Sequence, residues 1–499
     1  MGMIRVLTAQ DKLQPNIIFF LVDDMGWQDT SVPFWTEATP FNRLYHTPAM
    51  ERLAASGMKF TQAYASSVCS PTRVSLMTGM NAARHRVTNW TLRKNASNDA
   101  KDDVLDYPLW NVNGLSPVPG IERTVYATPL PAILRSNGYY TIHCGKAHWG
   151  AISTPGADPK NLGFDVNIAG HAAGGPATYQ GLNDFGNNSP DPGKQVWAIP
   201  GLEKYWGQDI NLSDALTKEA ILAMDTALSL HKPFYLYLSH YAIHVPLEAD
   251  HRYYKKYKDR GLPESEARYA SMIEGMDRSL EDILNYVDEK GIAGNTVIIF
   301  MSDNGGLSAH ARAGRPHTHN APLNSGKGSA YEGGVREPMI VRWPGITEAG
   351  SSCNQYIIAE DFFPTILSLA NIKATKTVQR IDGLSFEDLL RSPRAKRKGR
   401  NLYWHFPNNW GPTGPGIGAT STIRSGDWKL IYYYKDVRSE LFNIKDDIGE
   451  RNDLAQKYPA KVKMLSRRLT AYLKEVKAQR PVYKATGKPA LWPGEKMWG

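Results

Sequence analysis

Two pairs of oxygen-bearing side chains, each directly after a short apolar run, are the first candidates for chemistry. They are Asp23 with Asp24, and Asp303 with Asn304. Three carboxylates brought together repel one another unless a cation neutralises them, and their hard oxygens suit calcium or magnesium. No Cys or His pair stands beside them in the sequence, which argues against zinc. Either pair alone is also typical of a turn, where Asp and Asn cap the backbone.

A second feature is the segment that runs from Cys69 through Pro71 to Arg73, before a short predicted helix that ends at Gly79. Cys69 is therefore predicted at or just before a helix N-terminus, where amide donors and the helix dipole favour an anion. Arg73 lies one turn further on and can turn back toward that position. A lone cysteine is otherwise more commonly a small buried apolar residue.

Histidines and lysines follow two further apolar runs. Lys146 and His148 follow one of them, and His240 and His244 follow the other. A lone histidine is usually a satisfied core or surface group, and His240 fits that interpretation equally well. His148 and His244 stand just past predicted strand ends, where an acid or base is useful.

The apolar runs that carry these side chains predict a parallel sheet, because continuous apolar runs suit strands buried on both faces. Helices are predicted between and around them at 49–56, 128–138, 213–230 and 264–290. The alternation of strand and helix predicts an α/β fold, doubly wound, with a mostly parallel central sheet flanked by helices. Ligands of such sheets bind at the carboxyl ends of the strands, so the polar clusters can converge there.

The pattern changes after about residue 375. Antiparallel strands are predicted at 402–406, 421–425 and 428–434. One apolar stripe over 462–476 predicts a closing helix. We expect a catalytic α/β domain over residues 1–375 and a smaller C-terminal α+β subdomain, with a short antiparallel sheet, over residues 376–499.

Composition narrows the functional class. The chain has 499 residues, of which 42% are hydrophobic and 21% charged, as in a globular protein. No apolar run approaches the roughly 20 residues of a membrane span. The net charge of +9 is concentrated in 391–400 and 461–477. Neither stretch alternates basic with aromatic residues as a nucleic-acid platform does, so we predict solvated basic faces, no nucleic-acid partner and no membrane span.

Cysteine content and the first residues bear on the compartment. Cys69, Cys144 and Cys353 are too few and too scattered for a disulfide framework or a zinc knuckle. The N-terminal segment lacks the apolar core of a signal peptide, so the protein is expected to be cytoplasmic or to have lost a signal.

Together these motifs resemble one family, the type I sulfatases of the alkaline-phosphatase superfamily. The core signature is Cys-x-Pro-x-Arg followed by Thr-Gly, present as Cys69, Pro71, Arg73 and Thr78-Gly79. The other matching motifs, in family order, are Asp23-Asp24, Gly145-Lys146-x-His148, His244-x-Pro246, Ser302-Asp303-Asn304-Gly305, and Lys327-Gly328 before Glu332-Gly333-Gly334. Two departures are Ala147, where a tryptophan is common, and Asn324, which replaces an arginine; neither position is catalytic in the family mechanism.

The resemblance implies an enzyme that hydrolyses sulfate esters. Cys69 would be converted by a sulfatase-maturating enzyme to formylglycine, whose hydrate supplies the nucleophilic oxygen. The implied Ca2+ ligands are Asp23, Asp24, Asp303 and Asn304. The implied cations around the sulfate are Arg73, Lys146 and Lys327. His148 would be the base and His244 the proton donor to the leaving oxygen, and the implied location is periplasmic or secreted.

Loop residues near the same sheet edge suggest the substrate. The predicted substrate-binding residues are His171, His240, His310, Arg312, His317, His319, Trp404 and His405. Hydrogen-bond donors with aromatic platforms suit a sulfated sugar better than a flat aryl sulfate. The chain also resembles bacterial sulfatases of host or algal glycans, which implies a sulfated galactose, N-acetylgalactosamine or related unit as substrate. Each of these residues, taken singly, is also compatible with ordinary loop chemistry.

Three alternatives stay open at this point. The first is a phosphodiesterase or phosphonate monoester hydrolase of the same superfamily, some of which also use formylglycine. The second is a non-catalytic glycan-binding relative, which a degraded nucleophile or metal site would indicate. The third is a nucleic-acid binder, which would show steep salt dependence. The sequence does not indicate an oligomeric state.

Overall fold

The structure is a computed structural model that describes residues 14–308, 312, 317–373, 375–395 and 397–495. In chain order its strands are β1 Asn16–Val22, β2 Met58–Tyr64, β3 Leu105–Asp106, β4 Gly114–Ser116, β5 Thr124–Tyr126, β6 Tyr140–Gly145, β7 Val166–Ile168, β8 Phe234–Ser239, β9 Thr296–Ser302, β10 Arg336–Arg342, β11 Ser351–Cys353, β12 Ile357–Ile358, β13 Asn401–Phe406, β14 Thr420–Ser425, β15 Trp428–Tyr433, β16 Arg438–Asn443 and β17 Val482–Tyr483.

The α-helices vary from one turn to 26 residues. In chain order they are α1 Pro40–Leu44, α2 Pro48–Ser56, α3 Cys69–Thr78, α4 Ala82–His85, α5 Leu130–Ser136, α6 Pro192–Gln195, α7 Leu212–Ser229, α8 His251–Asp259, α9 Glu264–Glu289, α10 Glu332–Val335, α11 Phe362–Leu369, α12 Glu387–Arg391 and α13 Pro459–Glu475. Within the described ranges, none of these helices combines the length and the apolar character that crossing a membrane requires.

A nine-stranded sheet forms the centre of the molecule. Its strand order is β11-β2-β10-β9-β1-β8-β6-β7, and β12 also pairs with β2. The strand β10 runs antiparallel to β2 and β9, whereas the other pairs are parallel. The predicted mostly parallel α/β sheet is therefore confirmed.

Both faces of the sheet are buried, which explains the continuous apolar runs. On β1, Ile18 and Phe20 pack into one core with the helices α7 and α9. Ile17 and Phe19 point to the opposite core, which includes side chains of α3, α5 and α11. Successive residues of a strand face opposite sides, so a strand covered on both faces is apolar throughout.

A separate four-stranded antiparallel sheet lies near the C-terminus, with the order β13-β14-β15-β16. The closing helix α13 packs Leu465, Leu469 and Leu473 into the same core as Ile423 and Leu430 of this sheet. The small antiparallel sheet and the closing helix are confirmed. The sequence did not predict the fourth strand, β16, because its alternation of polar and apolar residues is weak. The division of the chain at residue 375 stays a prediction.

Candidate active site

Strand register brings the predicted polar clusters to one edge of the sheet. Val22 pairs with Ser302, so the residues after β1 and β9 emerge side by side. Leu21 pairs with Ser239, and Ser239 pairs with Gly145, which places the ends of β8 and β6 at the same level. Four strand ends therefore deliver their polar residues to one place, as expected for a parallel sheet.

Cys69 is the first residue of α3, where the expected helix N-terminus lies. Its side chain is buried, and Sγ lies 3.8 Å from Oδ1 of Asp23. Burial raises the pKa of the Cys69 thiol to about 12, although Lys146 and Lys327 act in the opposite direction. The thiol is therefore protonated at neutral pH and is a weak nucleophile as encoded.

Three buried ion pairs organise the strand ends. Lys146 Nζ lies 2.6 Å from Asp23, and Lys327 Nζ lies 2.6 Å from Asp24. The third pair joins Arg73 to Asp303: Nε donates to Oδ2 at 2.8 Å, and Nη2 is in ion-pair contact at 2.8 Å. Protein cations thus match the three carboxylates in number, so a metal is not required to balance their charge.

Arg73 is held from further sides. Its Nη1 donates to the Lys146 carbonyl at 3.0 Å and to Ser239 Oγ at 2.6 Å. Its own carbonyl accepts the indole N–H of Trp149. The guanidinium is fully buried and therefore acts as a fixed positive charge behind the residue that begins α3.

The acidic cluster nevertheless fits a hard cation. One ligand atom from each of Asp23, Asp24, Cys69 and Asp303 lies within 4.8 Å of the others. Asn304 donates its amide N–H to Asp24 at 2.8 Å, and its Oδ1 is buried without a hydrogen-bond partner among the described residues. Three carboxylates and one amide oxygen form a donor set that calcium or magnesium prefers.

The pKa values in this cluster differ because the partners differ. Burial, and then the Asp303 carboxylate, raise the pKa of Asp23 well above its ordinary value, although Lys146 opposes the shift. Burial also acts to raise the pKa of Asp24, but Lys327 and then His244 outweigh it and hold that pKa below its ordinary range. Both Cys69 and His244 lie beside Asp24, a juxtaposition that sequence spacing did not reveal.

His148 has one ring nitrogen engaged and one free to act. Nε2 lies 2.8 Å from the carbonyl oxygen of Thr91, which can only accept, so Nε2 carries the proton. Nδ1 is buried and lacks a hydrogen-bond partner within the described part of the chain. Burial, followed by Lys146, lowers the pKa of His148, so the ring is neutral and Nδ1 presents a lone pair. A Cβ on Gly174 would lie 2.4 Å from the ring, so only glycine allows this approach.

His244 lies beside Asp24. Its Nδ1 lies 2.8 Å from the Val245 carbonyl and Nε2 lies 3.7 Å from Asp24 Oδ2. Burial, then Lys327, lower the pKa of this ring, whereas Asp24 acts to raise it. His244 therefore presents Nε2 to the acidic cluster.

A cavity of about 230 Å³ opens onto these groups. It is lined by Val68, Cys69, Trp90, His148, Gly174, Trp197, His244, Val245, Lys327, Trp410 and Pro412. Cys69 and the two histidines thus share one chamber with a lysine, and aromatic and apolar side chains form most of the remaining wall.

The residues predicted to bind substrate are placed elsewhere. His240 is fully buried, with Nε2 2.9 Å from Ser279 Oγ, and it packs on Phe20. His171 lies beside the site through its carbonyl, which accepts from the His148 amide, but its ring does not line the cavity.

Arg312, His317 and His319 do not line the cavity either. Arg312 forms a buried ion pair with Glu266 at 2.6 Å, and His319 lies 3.6 Å from the same carboxylate. The half-buried His317 accepts from the amide of Ser325 through its carbonyl. His310 lies outside the described residues.

Trp404 and His405 belong to the interior rather than to the cavity wall. The Trp404 indole N–H donates to the Ala65 carbonyl at 2.8 Å. The His405 ring lies between Ser421 Oγ at 2.7 Å and the Gln479 carbonyl at 2.6 Å. Trp404 and His405 are neighbours on β13 and therefore point to opposite faces of the strand, and both faces are packed against other parts of the protein. The sequence around them did not indicate this burial.

The aromatic residues that do line the cavity are Trp90, Trp197 and Trp410. Trp410 follows the predicted Trp404 and His405 closely in the chain, but Trp90 and Trp197 stand in loops without any motif. No local pattern distinguishes them from core tryptophans, so only the fold identifies them.

Comparison with known proteins agrees with this arrangement. A family model described as Sulfatase matches residues 15–372, and one described as N-sulphoglucosamine sulphohydrolase, C-terminal, matches residues 326–479. A sulfatase of Formosa agariphila is 30% identical over 503 residues, covering 91% of this chain and 87% of its own. The N-acetylgalactosamine-6-sulfatase of Mus musculus is 32% identical and covers 76% of this chain and 66% of its own.

A solved structure shares the whole architecture. Ps i-CgsB, in complex with k-i-k-neocarrahexaose, superposes with a TM-score of 0.71 at 27% identity, and the match covers 92% of this chain and 93% of that one.

Proposed function

The chain belongs to the sulfatase family and is a sulfuric ester hydrolase, and on this premise we propose that it removes sulfate from sulfated carbohydrates. One observation carries the proposal: Cys69, at a helix N-terminus, shares a single cavity with His148, His244 and Lys327. A similar protein named N-acetylgalactosamine-6-sulfatase, and a similar structure holding neocarrahexaose, support a glycan substrate. We propose a sulfated galactose, N-acetylgalactosamine or related unit.

The nucleophile is proposed to arise from Cys69 by maturation. The raised pKa of the buried thiol supports a need for a different nucleophile at this position. Formylglycine at position 69 would supply, as its hydrate, a hydroxyl oxygen at the N-terminus of α3. Arg73, one turn along the same helix and fixed by Asp303 and Ser239, would hold that residue in position.

The cations are proposed to bind the sulfate group. Bound calcium would polarise the sulfate and lower the pKa of the nucleophile, held by Asp23, Asp24, Asp303 and Asn304. Lys327, which lines the cavity, and Lys146, which lies behind it, would stabilise negative charge during cleavage.

The two histidines are proposed to move protons at opposite ends of the reaction. His148 would accept a proton at Nδ1, a role supported by the hydrogen bond that fixes the proton on Nε2. His244 would give a proton from Nε2 to the leaving oxygen. Because the Val245 carbonyl takes the N–H at Nδ1, this donation needs a doubly protonated ring. Burial and Lys327 lower the pKa of His244 and oppose that form, whereas Asp24 at 3.7 Å favours it.

The test is a substrate screen on protein produced together with a sulfatase-maturating enzyme. Released inorganic sulfate is measured on defined sulfated mono- and disaccharides and on aryl sulfates, and the released phenol is measured on aryl sulfates and on the matched aryl phosphate esters, with Cys69→Ala as the inactive control. We expect turnover of a sulfated galactose, N-acetylgalactosamine or related sugar, with weak turnover of simple aryl sulfates. Faster turnover of aryl sulfates than of every saccharide tested would contradict the glycan proposal. Faster release of the phenol from the aryl phosphate esters than from the aryl sulfates would favour the phosphodiesterase or phosphonate monoester hydrolase alternative.

The periplasmic or secreted location and the maturating enzyme as a partner are part of the same proposal. They follow from the family, and fractionation of cells that produce the natural protein tests the location.

A further inference from the structure

Three tryptophans at the cavity differ from the tryptophans of the core. Trp27, Trp110 and Trp149 are fully buried, as expected for the largest apolar side chains. Trp90, Trp197 and Trp410 are instead half-buried, and all three line the chamber that contains Cys69. Partly exposed indole rings gathered around one chamber point to a ligand that covers them.

Two of these tryptophans lie close to residues that adjoin or hold the proposed catalytic groups. The ring of Trp410 packs on Gly328, next to Lys327, so closely that a Cβ there would lie 2.1 Å from Cε3. Gly328 also has a φ of +85°, so this close approach requires glycine. Trp90 directly precedes Thr91, whose carbonyl oxygen fixes the His148 ring.

Trp197 completes the wall from a third segment. Its carbonyl oxygen accepts the amide N–H of Ala177 at 2.8 Å. Ala177 follows the loop whose Gly174 packs against the His148 ring and whose Gly175 packs against His244. The three tryptophans thus approach the chamber from three separate parts of the chain.

One carboxylate joins the segments of Trp90 and Trp410. Oδ1 of Asp99 accepts the side-chain amide of Asn89 at 2.9 Å and the backbone amide of Asn409 at 3.1 Å. Oδ2 accepts the side-chain amide of Asn408 at 3.0 Å and the indole N–H of Trp110 at 3.0 Å.

The hydrogen bond from Trp110 fixes the Asp99 carboxylate to the core, because Trp110 is fully buried. The amide of Ala100, the next residue, donates to the Asn409 carbonyl at 3.0 Å and so fastens the same two segments again. Asp99 therefore fixes the segment before Trp90 and the segment before Trp410 relative to one another. When the side chains of a site are already ordered, a ligand loses less free energy on binding, because no segment has to be immobilised.

We propose that Trp90, Trp197 and Trp410 form a subsite for one sugar ring of the leaving group, and that Asp99 is the positioning residue for two of its walls. The inference rests on the proposed function and specifies where the sugar binds. The weakly positive C–H bonds on a sugar face complement the negative face of an indole ring. The chamber of about 230 Å³ is smaller than the roughly 300–1,000 Å³ of pockets for larger ligands, which suits a single ring.

The experiment measures two constants on the full-length matured enzyme. The first is KM for the best sulfated monosaccharide from the screen, and the second is the inhibition constant of inorganic sulfate. Sulfate probes the Cys69 end of the chamber and does not need the tryptophans. The variants are Trp90→Leu and Trp410→Leu, which remove the flat ring, and Trp90→Phe and Trp410→Phe, which keep one. The matched control is Trp206→Leu, because Trp206 is 39% exposed and does not line the cavity.

We expect each Leu variant to raise KM about tenfold or more, each Phe variant to raise it far less, and Trp206→Leu to leave it unchanged. The inhibition constant of sulfate should stay within about twofold in every variant. Unchanged KM in both Leu variants would overturn the subsite, as would a parallel loss of sulfate binding. A parent enzyme that hydrolyses no saccharide sulfate would instead refute the proposed function, and the subsite with it.

The positioning role of Asp99 is tested by coupling. Asp99→Ala should raise KM for the saccharide in the parent, and Asp99→Asn, which keeps one acceptor oxygen, should raise it less. In a Trp90→Leu/Trp410→Leu background, Asp99→Ala should have almost no further effect, because the walls that it positions are gone. Equal effects of Asp99→Ala in both backgrounds would overturn the positioning role.

Discussion

Removal of the Asp303 carboxylate is expected to lower both the free energy of unfolding and the enzymatic activity, and the two effects can be measured separately. The Arg73 guanidinium is fully buried, and Asp303 is its charged partner at 2.8 Å. Asp303→Ala leaves that cation with the neutral acceptors of Lys146 and Ser239 alone. Breaking a buried pair by removal of one partner costs about 3–5 kcal/mol.

A second effect reduces this cost. Asp303 is, after burial, the largest cause of the raised pKa of Asp23, so its removal also relieves repulsion between carboxylates. We therefore expect the lower end of the range, about 3 kcal/mol, for Asp303→Ala. Asp303→Asn keeps an acceptor oxygen for Arg73 and should lose roughly 1–2 kcal/mol.

The assay is urea denaturation in the presence of a chelator, which removes any contribution of bound metal to the free energy of unfolding. The matched control is Asp288→Ala, which breaks an ion pair with Arg52 in which both side chains are more than 40% exposed, and it should cost less than about 1 kcal/mol. Activity in excess calcium should fall about 100-fold or more for both Asp303 variants. If Asp303→Ala has the same free energy of unfolding as the control variant, the buried Arg73–Asp303 pair does not contribute the expected stability and the reasoning is wrong.

Three further predictions follow from buried charges elsewhere in the molecule and from the metal site. Lys429 pairs with Glu332 at 3.0 Å and with Glu450 at 2.9 Å, and all three side chains are fully buried. Lys429→Met would leave two buried carboxyl groups without their cation and should lower the free energy of unfolding by about 3–5 kcal/mol in urea denaturation. A variant as stable as the parent would contradict this. Burial, and then Asp361, raise the pKa of Glu360 to about 8 from an ordinary 4.5. The folded state therefore holds a proton that the unfolded chain releases, so the stability that Glu360 contributes is greatest below about pH 4.5 and is lost as the pH rises to about 8, by roughly 2–4 kcal/mol. Glu360→Gln should remove this part of the pH dependence in denaturation curves measured across this range, and an unchanged pH dependence would contradict the assignment. Protein stripped with a chelator should lose activity and regain it with calcium, and full activity in metal-free buffer would exclude the proposed metal site.

Much of the candidate active site could be predicted because its residues follow strand ends. The runs before Asp23, Lys146, His244 and Asp303 are mostly apolar, since both faces of the sheet are covered, and such runs are visible without a structure. Once a parallel sheet is predicted, its topology alone brings their ends together.

The substrate-binding side of the cavity could not be predicted in this way. Arg312, Trp404 and His405 have the chemistry expected of a sugar site, yet each has an interior partner that is distant in sequence. Trp90 and Trp197 have no local signal, because loops carry no periodicity. Their positions depend on contacts such as those of Asp99 and Ala177, which only the folded chain brings about.

The ion pairs that balance the charges at the strand ends also could not be predicted from sequence spacing. Lys146 and Lys327 reduce the repulsion between the carboxylates, because their ammonium groups lie 2.6 Å from Asp23 and Asp24. The side-chain oxygen of Asn304, which has no hydrogen-bond partner among the described residues, and the raised pKa of Asp23 support the proposed metal site.

The most direct test of the central claim is the fate of the sulfate group in Cys69→Ser. A formylglycine hydrate has two hydroxyls, one to attack sulfur and one whose deprotonation expels sulfate, whereas serine has only one. The variant should fold, bind calcium and release the sugar alcohol at most once, while the sulfuryl group stays on the introduced hydroxyl. Mass spectrometry of the peptide that contains position 69 should then find it heavier by one SO3 group after incubation with substrate. Sustained multiple turnover at a rate near that of the matured parent, with no sulfated peptide, would contradict the account.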